Sequence, residues 1–182
     1  MDIKKLENYE IVQVAEIASQ SFSGLSDPIK ALKWIECNFN AYPRMQYFVA
    51  KTENKILGYI LWIEKGGFRQ ESVWELEQIA IEQKFRNNGV GTELVIKSLE
   101  NIKKYLEQRN SKLKLIEVTT GTDNRAQEIY KKILNAEVEA IIKDLFRGDE
   151  VLMIARFEKN KKTLISPSFN HINAYKFTQI TN

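Results

Sequence analysis

A three-layer α/β/α sandwich, built on a twisted, mostly antiparallel mixed sheet, is the fold this sequence predicts. Three observations carry that prediction. The chain has 182 residues and is 43% hydrophobic, which suits one domain with a substantial buried core. Its apolar residues switch repeatedly between a period of two and a period near 3.6, so strand and helix segments alternate. The order is a strand, two helices, three strands, a helix, a strand, a helix and two strands, a mixed order that fits one sheet covered by helices.

Asp2 to Leu6 reads as a short first strand. Ile11, Val14, Ala15, Ala18 and Phe22 recur at helical spacing, so an amphipathic helix is expected from about Tyr9 to Phe22. Ser26-Asp27-Pro28 is a helix start with proline in the first turn. That helix carries Leu32, Ile35 and Phe39 and breaks by Pro43. Tyr47 to Lys51 and Ile56 to Glu64 read as strands joined by a turn at Glu53-Asn54, and Gly66-Gly67 marks a loop. Val73 to Ile81 is the next strand, followed by a helix from about Val90 to Arg109. Val90, Leu94, Val95, Leu99, Ile102 and Leu106 line one face of that helix. Leu113 to Thr120 is strand-like, and Ala126, Ile129, Tyr130, Ile133 and Leu134 line the last helix. Val138 to Ile142 and Val151 to Phe157 close the pattern around Arg147-Gly148-Asp149. Residues 1–157 therefore make the domain, and 158–182 form an extension. Within it, Ala174 to Ile180 is either an extra strand added to a neighbour's sheet edge, as in a homodimer, or part of a loosely ordered tail.

Composition excludes several classes. The net charge is +3 with both signs interspersed, too balanced to imply a nucleic acid or a membrane surface. The single cysteine, Cys37, rules out an internal disulfide and suits a reducing cytoplasm, and in its helix it reads as a small packing residue. His171 is the only histidine, and with no second His or Cys beside it no metal site is expected. No apolar run approaches the ~20 residues of a membrane span, and the polar N-terminus reads as lacking a signal peptide.

The stretch Arg86-Asn87-Asn88-Gly89-Val90-Gly91 lies between a strand and a helix. Two glycines there let the backbone turn tightly and leave amides uncovered by side chains. The helix adds its own unpaired first-turn amides and the positive end of its dipole. Together they make an anion cradle, usually for phosphate. A P-loop needs Lys followed by Ser or Thr after its last glycine, but here Thr92-Glu93 follows Gly91. A dinucleotide turn needs a third glycine where Leu94 stands.

What remains, Arg86-x-x-Gly89-x-Gly91, resembles the pyrophosphate loop of the GNAT superfamily of acyl-CoA N-acyltransferases. The strand ahead, Trp74 to Ile81, is similar to that family's fourth strand, which often closes on Ala-Val or Ala-Ile. Asn124-Arg125-Ala126-Gln127-Glu128-Ile129-Tyr130 resembles the family's Asn-x-x-Ala-x-x-x-Tyr helix, with Asn124 one residue nearer the alanine. The likeness covers roughly residues 2 to 157. It departs after this helix, where Asn135-Ala136 replaces the usual glycine, and Asn tolerates the left-handed conformation a helix end requires.

The resemblance implies an acyl-CoA N-acyltransferase fold. It also implies direct transfer of an acetyl group from acetyl-CoA to a primary amine, on a small molecule, peptide or protein, in a ternary complex. It places the coenzyme pyrophosphate on Arg86, Asn87, Asn88, Gly89, Val90, Gly91 and Thr92, with Lys84 and Arg125 as added charge. It makes Ile79, Ala80 and Ile81 the docking edge for pantetheine and source of the carbonyl donor. Asn124 would bond the pantetheine arm, against a plain helix-cap role, and Tyr130 would be the acid at the departing sulfur. The base is Glu75 or Glu77, which on a regular strand share a face with Ile79 and Ile81; the family commonly carries a bulge on this strand that re-aims such residues. Glu75 matches the base of the histone-acetylating branch. Trp34, Trp62 and Trp74 read as core or rim aromatics, and the segment from Ser23 to Arg44, with Trp34 and Tyr42, would shape the acceptor pocket. Two other readings stay open: a coenzyme A-binding regulatory module without turnover, and a basic module binding RNA or an acidic partner through Lys97 to Lys114 and Lys159 to Lys162.

Overall fold

A computed structural model of the protein describes residues 1–53 and 55–157. The expectations for Asn54, Lys159 to Lys162, His171 and the strand at 174–180 lie outside the described residues.

The elements run β1 (Asp2–Lys5), α1 (Ile11–Ser21), α2 (Pro28–Phe39), β2 (Met45–Thr52), β3 (Lys55–Lys65) and β4 (Glu71–Ile81). They continue with α3 (Val90–Gln108), β5 (Lys112–Gly121), α4 (Ala126–Ile129), β6 (Glu137–Ile142) and β7 (Glu150–Arg156). The strands form one seven-stranded sheet in the order β1-β2-β3-β4-β5-β7-β6. Every neighbouring pair is antiparallel except β4 and β5, which are parallel. This is the mixed, mostly antiparallel sheet the periodicities predict.

Helices cover both faces, because the strands bury side chains on both. On one face Val14, Ala18, Ala31 and Ile35 of α1 and α2 pack with Tyr47, Val49, Tyr59 and Leu61. On the other, Leu94, Val95, Ile102 and Leu106 of α3 pack with Phe48, Ile60, Trp62 and Trp74. Local signals set the ends. Asp27 caps α2, its carboxylate accepting from the amides of Ile29 and Lys30, with Pro28 at the first position. After α4 the chain widens into a π turn over Tyr130–Leu134 and stops at Asn135, which takes the left-handed conformation (φ 54°, ψ 38°) expected of it.

Two features fix β3 and β4 around the future site. Gly58 sits opposite Ile81, where a Cβ would lie 2.7 Å from the Ala80 carbonyl oxygen and 3.1 Å from the Ile81 Cα. No side chain fits there without moving β4 backbone. At the other end of α3, Arg109 reaches down onto the sheet. Its guanidinium makes two bonds to the Glu64 carboxylate, one of 2.8 Å from Nη1 to Oε2 and one from Nη2 to Oε1. Glu64 is 1% exposed, and it also accepts from Ser72 at 2.6 Å, while Ser72 accepts from the Trp74 indole at 2.9 Å. The Arg109 cation lies over the rings of Tyr105 and Phe68, at 5.0 Å and 5.1 Å.

Two sequence expectations need correction. Cys37 is exposed, not a packing residue; the adjacent Asn38 turns inward instead and hydrogen-bonds Tyr47. Glu75 and Glu77 do not share a face with Ile79 and Ile81. The β3–β4 register slips, with Trp62 opposite Leu76 but Leu61 opposite Gln78, so Glu77 is the extra residue of a bulge. Before the bulge Trp74 and Leu76 face α3; after it Ile79 and Ile81 do. Glu75 pairs with Ile63 and therefore faces the α1/α2 side.

Candidate active site

The bulge at Glu77 has a second effect, because β4 and β5 stop pairing there. Their parallel register runs from Glu71 opposite Lys112 to Glu75 opposite Glu117 and goes no further. Beyond it the strands part, and a cleft of about 390 Å³ opens between them. Gln78, Ile79, Ala80 and Ile81 form one wall, Thr119, Thr120 and Asn124 the other, with Tyr130 and Ile129 between. Arg86 and Gly91 border one part of it, Ser21 and Phe22 another.

Gly89 takes a left-handed conformation (φ 78°) and is the N-cap of α3, with its carbonyl accepting from Glu93. No side chain caps the helix, so the amides of Val90, Gly91 and Thr92 have no partner within it. Asn87 also has positive φ (64°), which turns the loop back toward the helix start. A Cβ on Gly91 would touch the side chains of Ile81 and Ile79 at 3.8 Å and 3.9 Å, so the glycine keeps the cleft wall low where helix meets strand. The Arg86 Nε donates to the Ile81 carbonyl at 2.9 Å and ties the loop to the strand end. Lys84 instead pairs with Glu82 at 3.1 Å.

Glu77 lines the cleft, and Glu75 does not. The Lys65 ammonium holds Glu75 at 2.7 Å and reaches Glu117 at 3.6 Å. Although Glu77 as a residue is exposed, burial of its carboxyl raises its pKa above the usual value. The Glu75 charge adds to this, against a smaller lowering by Lys65. Tyr130 is 4% exposed, and burial raises its phenol to about 12, so the hydroxyl stays protonated and can donate. Asn124 has its amide nitrogen on Thr120 Oγ1 at 2.8 Å, and its oxygen accepts from the Ala126 amide at 2.9 Å. The second bond closes an Asx turn just ahead of α4, whose N-cap is Arg125 and has no side-chain cap.

Of the predicted residues, the fold brings Glu77, Ile79, Ala80, Ile81, Arg86, Gly91, Asn124 and Tyr130 to the cleft. Trp34 and Tyr42 do not reach it; the exposed Tyr42 lies in a separate hollow with Lys5 and Met45. The lysines of α3 are not a bare basic stripe, since Lys97 neighbours Glu100 at 3.9 Å and Lys103 covers the Phe157 ring. Gln78, Thr119, Thr120, Ser21 and Phe22 line the cleft and were not anticipated. For Gln78 a signal existed: the apolar residues of β4 stand at Trp74 and Leu76, then at Ile79 and Ile81, a change of parity that marks an inserted residue.

The fold and the cleft agree with what the sequence matches. The profile of the acetyltransferase (GNAT) family covers residues 11–135, and the chain belongs to that family. An uncharacterized N-acetyltransferase of Methanocaldococcus jannaschii is 28% identical over 100 residues, covering 52% of this chain and 41% of that protein. The chain thus spans less than half the length of this curated relative. An aminoglycoside 6'-N-acetyltransferase complexed with coenzyme A superposes with a TM-score of 0.69 at 16% identity, over 89% of this chain and 100% of that one. The ribosomal-protein-alanine N-acetyltransferase of Brucella melitensis gives 0.65 at 17% identity, over 86% and 100%. At such identities the likeness establishes the acyl-CoA N-acyltransferase fold. Among the described residues, no helix is long and apolar enough to cross a membrane.

Proposed function

We propose that the protein transfers the acetyl group of acetyl-CoA directly to a primary amine, with both substrates bound together in the β4–β5 cleft. One observation carries this reading: the cleft joins an uncapped helix start, a strand segment without a partner on its β5 side, a carboxyl and a buried phenol. The amides of Val90, Gly91 and Thr92 would hold the pyrophosphate, with Asn87, Asn88 and Gly89 shaping the turn. Those backbone groups of Ile79 to Ile81 that face away from β3, left without β5 as a partner, would receive the pantetheine arm and the thioester oxygen.

Glu77 takes the base role, because it lines the cleft while Glu75 is engaged by Lys65. The amine gives its proton to the carboxylate and its lone pair to the carbonyl carbon. The oxyanion forms against a strand amide, the carbon–sulfur bond breaks, and the Tyr130 hydroxyl donates to the departing thiolate. The expected result for Tyr130→Phe is a kcat lowered about tenfold to a hundredfold with KM for acetyl-CoA little changed; full activity would remove that role.

The binding half is tested separately. Gly91→Val would place branched carbons against Ile79 and Ile81 in the cleft. It should weaken acetyl-CoA by about tenfold or more, roughly 1.4 kcal/mol, in titration calorimetry. An unchanged Kd in this variant counts against the cradle.

A further inference from the structure

Gln78 is 9% exposed and lines the cleft beside Glu77. Because Glu77 is the inserted residue of the bulge, these sequence neighbours both border the same space. The Gln78 amide is held from behind. Its Oε1 accepts a 3.1 Å hydrogen bond from the Tyr59 hydroxyl, and Tyr59 is fully buried. Tyr59 is itself fixed by the Tyr47 ring at 5.9 Å, and the Tyr47 hydroxyl accepts from Asn38 at 3.3 Å. Burial keeps the Tyr59 phenol protonated, so it must donate, and the amide oxygen is the end it selects. The Nε2 end is left with two N–H groups that have no acceptor among the described residues. That nitrogen is reached from the cleft and is not sealed in the core, and a site that presents a fixed donor there favours ligands that satisfy it.

We propose that Gln78, oriented by Tyr59, determines acceptor specificity by donating to an oxygen on the carbon next to the reacting amine. The acceptor class is an amine with a vicinal oxygen, hydroxyl or carbonyl, rather than a plain alkylamine. The inference rests on the reading above that the amine approaches Glu77. The two residues are consecutive, with α-carbons about 3.8 Å apart, and both border one cleft, which favours an acceptor whose amine and oxygen are close together.

The test compares kcat/KM for acceptor pairs that differ only in that oxygen. One pair is 2-aminocyclohexanol with cyclohexylamine, the hydroxyl arm. The other is alaninamide with isopropylamine, the carbonyl arm. The ratio within a pair, compared between proteins, cancels the intrinsic reactivity of each amine. Expected is a ratio in at least one arm that falls about tenfold in Gln78→Leu, chiefly through KM. It should fall similarly in Gln78→Glu, which keeps an acceptor for Tyr59 but presents no donor, and severalfold in Tyr59→Phe. The arm that responds names the oxygen. Melting curves of all variants confirm folding, and Gln78→Glu, the closest isostere, decides if Gln78→Leu fails to fold. Ratios unchanged in both arms, with the amines still acetylated, overturn the Gln78 assignment alone. If the wild type acetylates none of the four amines and acetyl-CoA does not raise its Tm, the acetyltransferase reading falls and this inference with it. If acetyl-CoA binds but none of the four amines reacts, the vicinal-oxygen class is wrong.

Discussion

Glu77→Gln is expected to lower kcat/KM for the amine by about 10²–10⁴-fold while leaving the affinity for acetyl-CoA unchanged. The carboxyl lines the cleft and has no ion-pair partner within salt-bridge distance among the described residues. The same variant should be more stable than the wild type at neutral pH. The sign follows from the raised pKa: the folded protein holds this proton more tightly than the unfolded chain does. Ionisation therefore costs stability as pH rises through the unfolded value near ~4.3. Glutamine removes that cost, so the variant's Tm should exceed the wild type's at pH 7 and match it near pH 3.5. A variant that loses activity but gains no stability would mean the carboxyl is not burdened by burial. Glu75→Gln should behave differently. It removes a like charge that raises Glu77 and releases Lys65, so the rising limb of the pH–rate profile should move to lower pH and persist.

Arg109→Leu is expected to cost about 3–5 kcal/mol, a Tm drop of roughly 6–20 °C for a domain of this size. The substitution strands the Glu64 carboxylate, 1% exposed, with Ser72 as its remaining donor. In the double variant Glu64→Leu/Arg109→Leu most of the stability should return, because removing both charges also removes their desolvation. A double variant no more stable than the single one, by urea denaturation, would show that the pair is not the source of the loss.

How much of this was legible beforehand depends on the range of the interaction. The glycine loop before α3, the Asp27 cap and the left-handed Asn135 are local, and their chemistry stands in a few consecutive residues. The succession of strands and helices along the chain followed from periodicity; the order of the strands within the sheet did not. What escaped was longer in range or lay in a change of phase. The faces of Glu75 and Glu77 depended on whether β4 is regular or bulged, as the family resemblance allowed; the step from Leu76 to Ile79 marks where the bulge falls. The pairing of Arg109 with Glu64 joins residues 45 positions apart, and no local pattern announces it. Cys37 was turned inward on polarity alone, whereas the helix, turning by about 100° per residue, brings Asn38 to the inner face. Gln78 was passed over because a glutamine in a strand carries no motif; only its tether to Tyr59 gives it direction.

The Arg109–Glu64 clasp and the uncapped turn at Gly89 lie at opposite ends of α3, a rod of 19 residues and about 28 Å. Between them Val90, Leu94, Val95 and Ile102 seat the rod on the sheet along its whole length. The heading of its first-turn amides is thus inherited from the entire buried face and from the clasp at its far end, none of which touches a substrate.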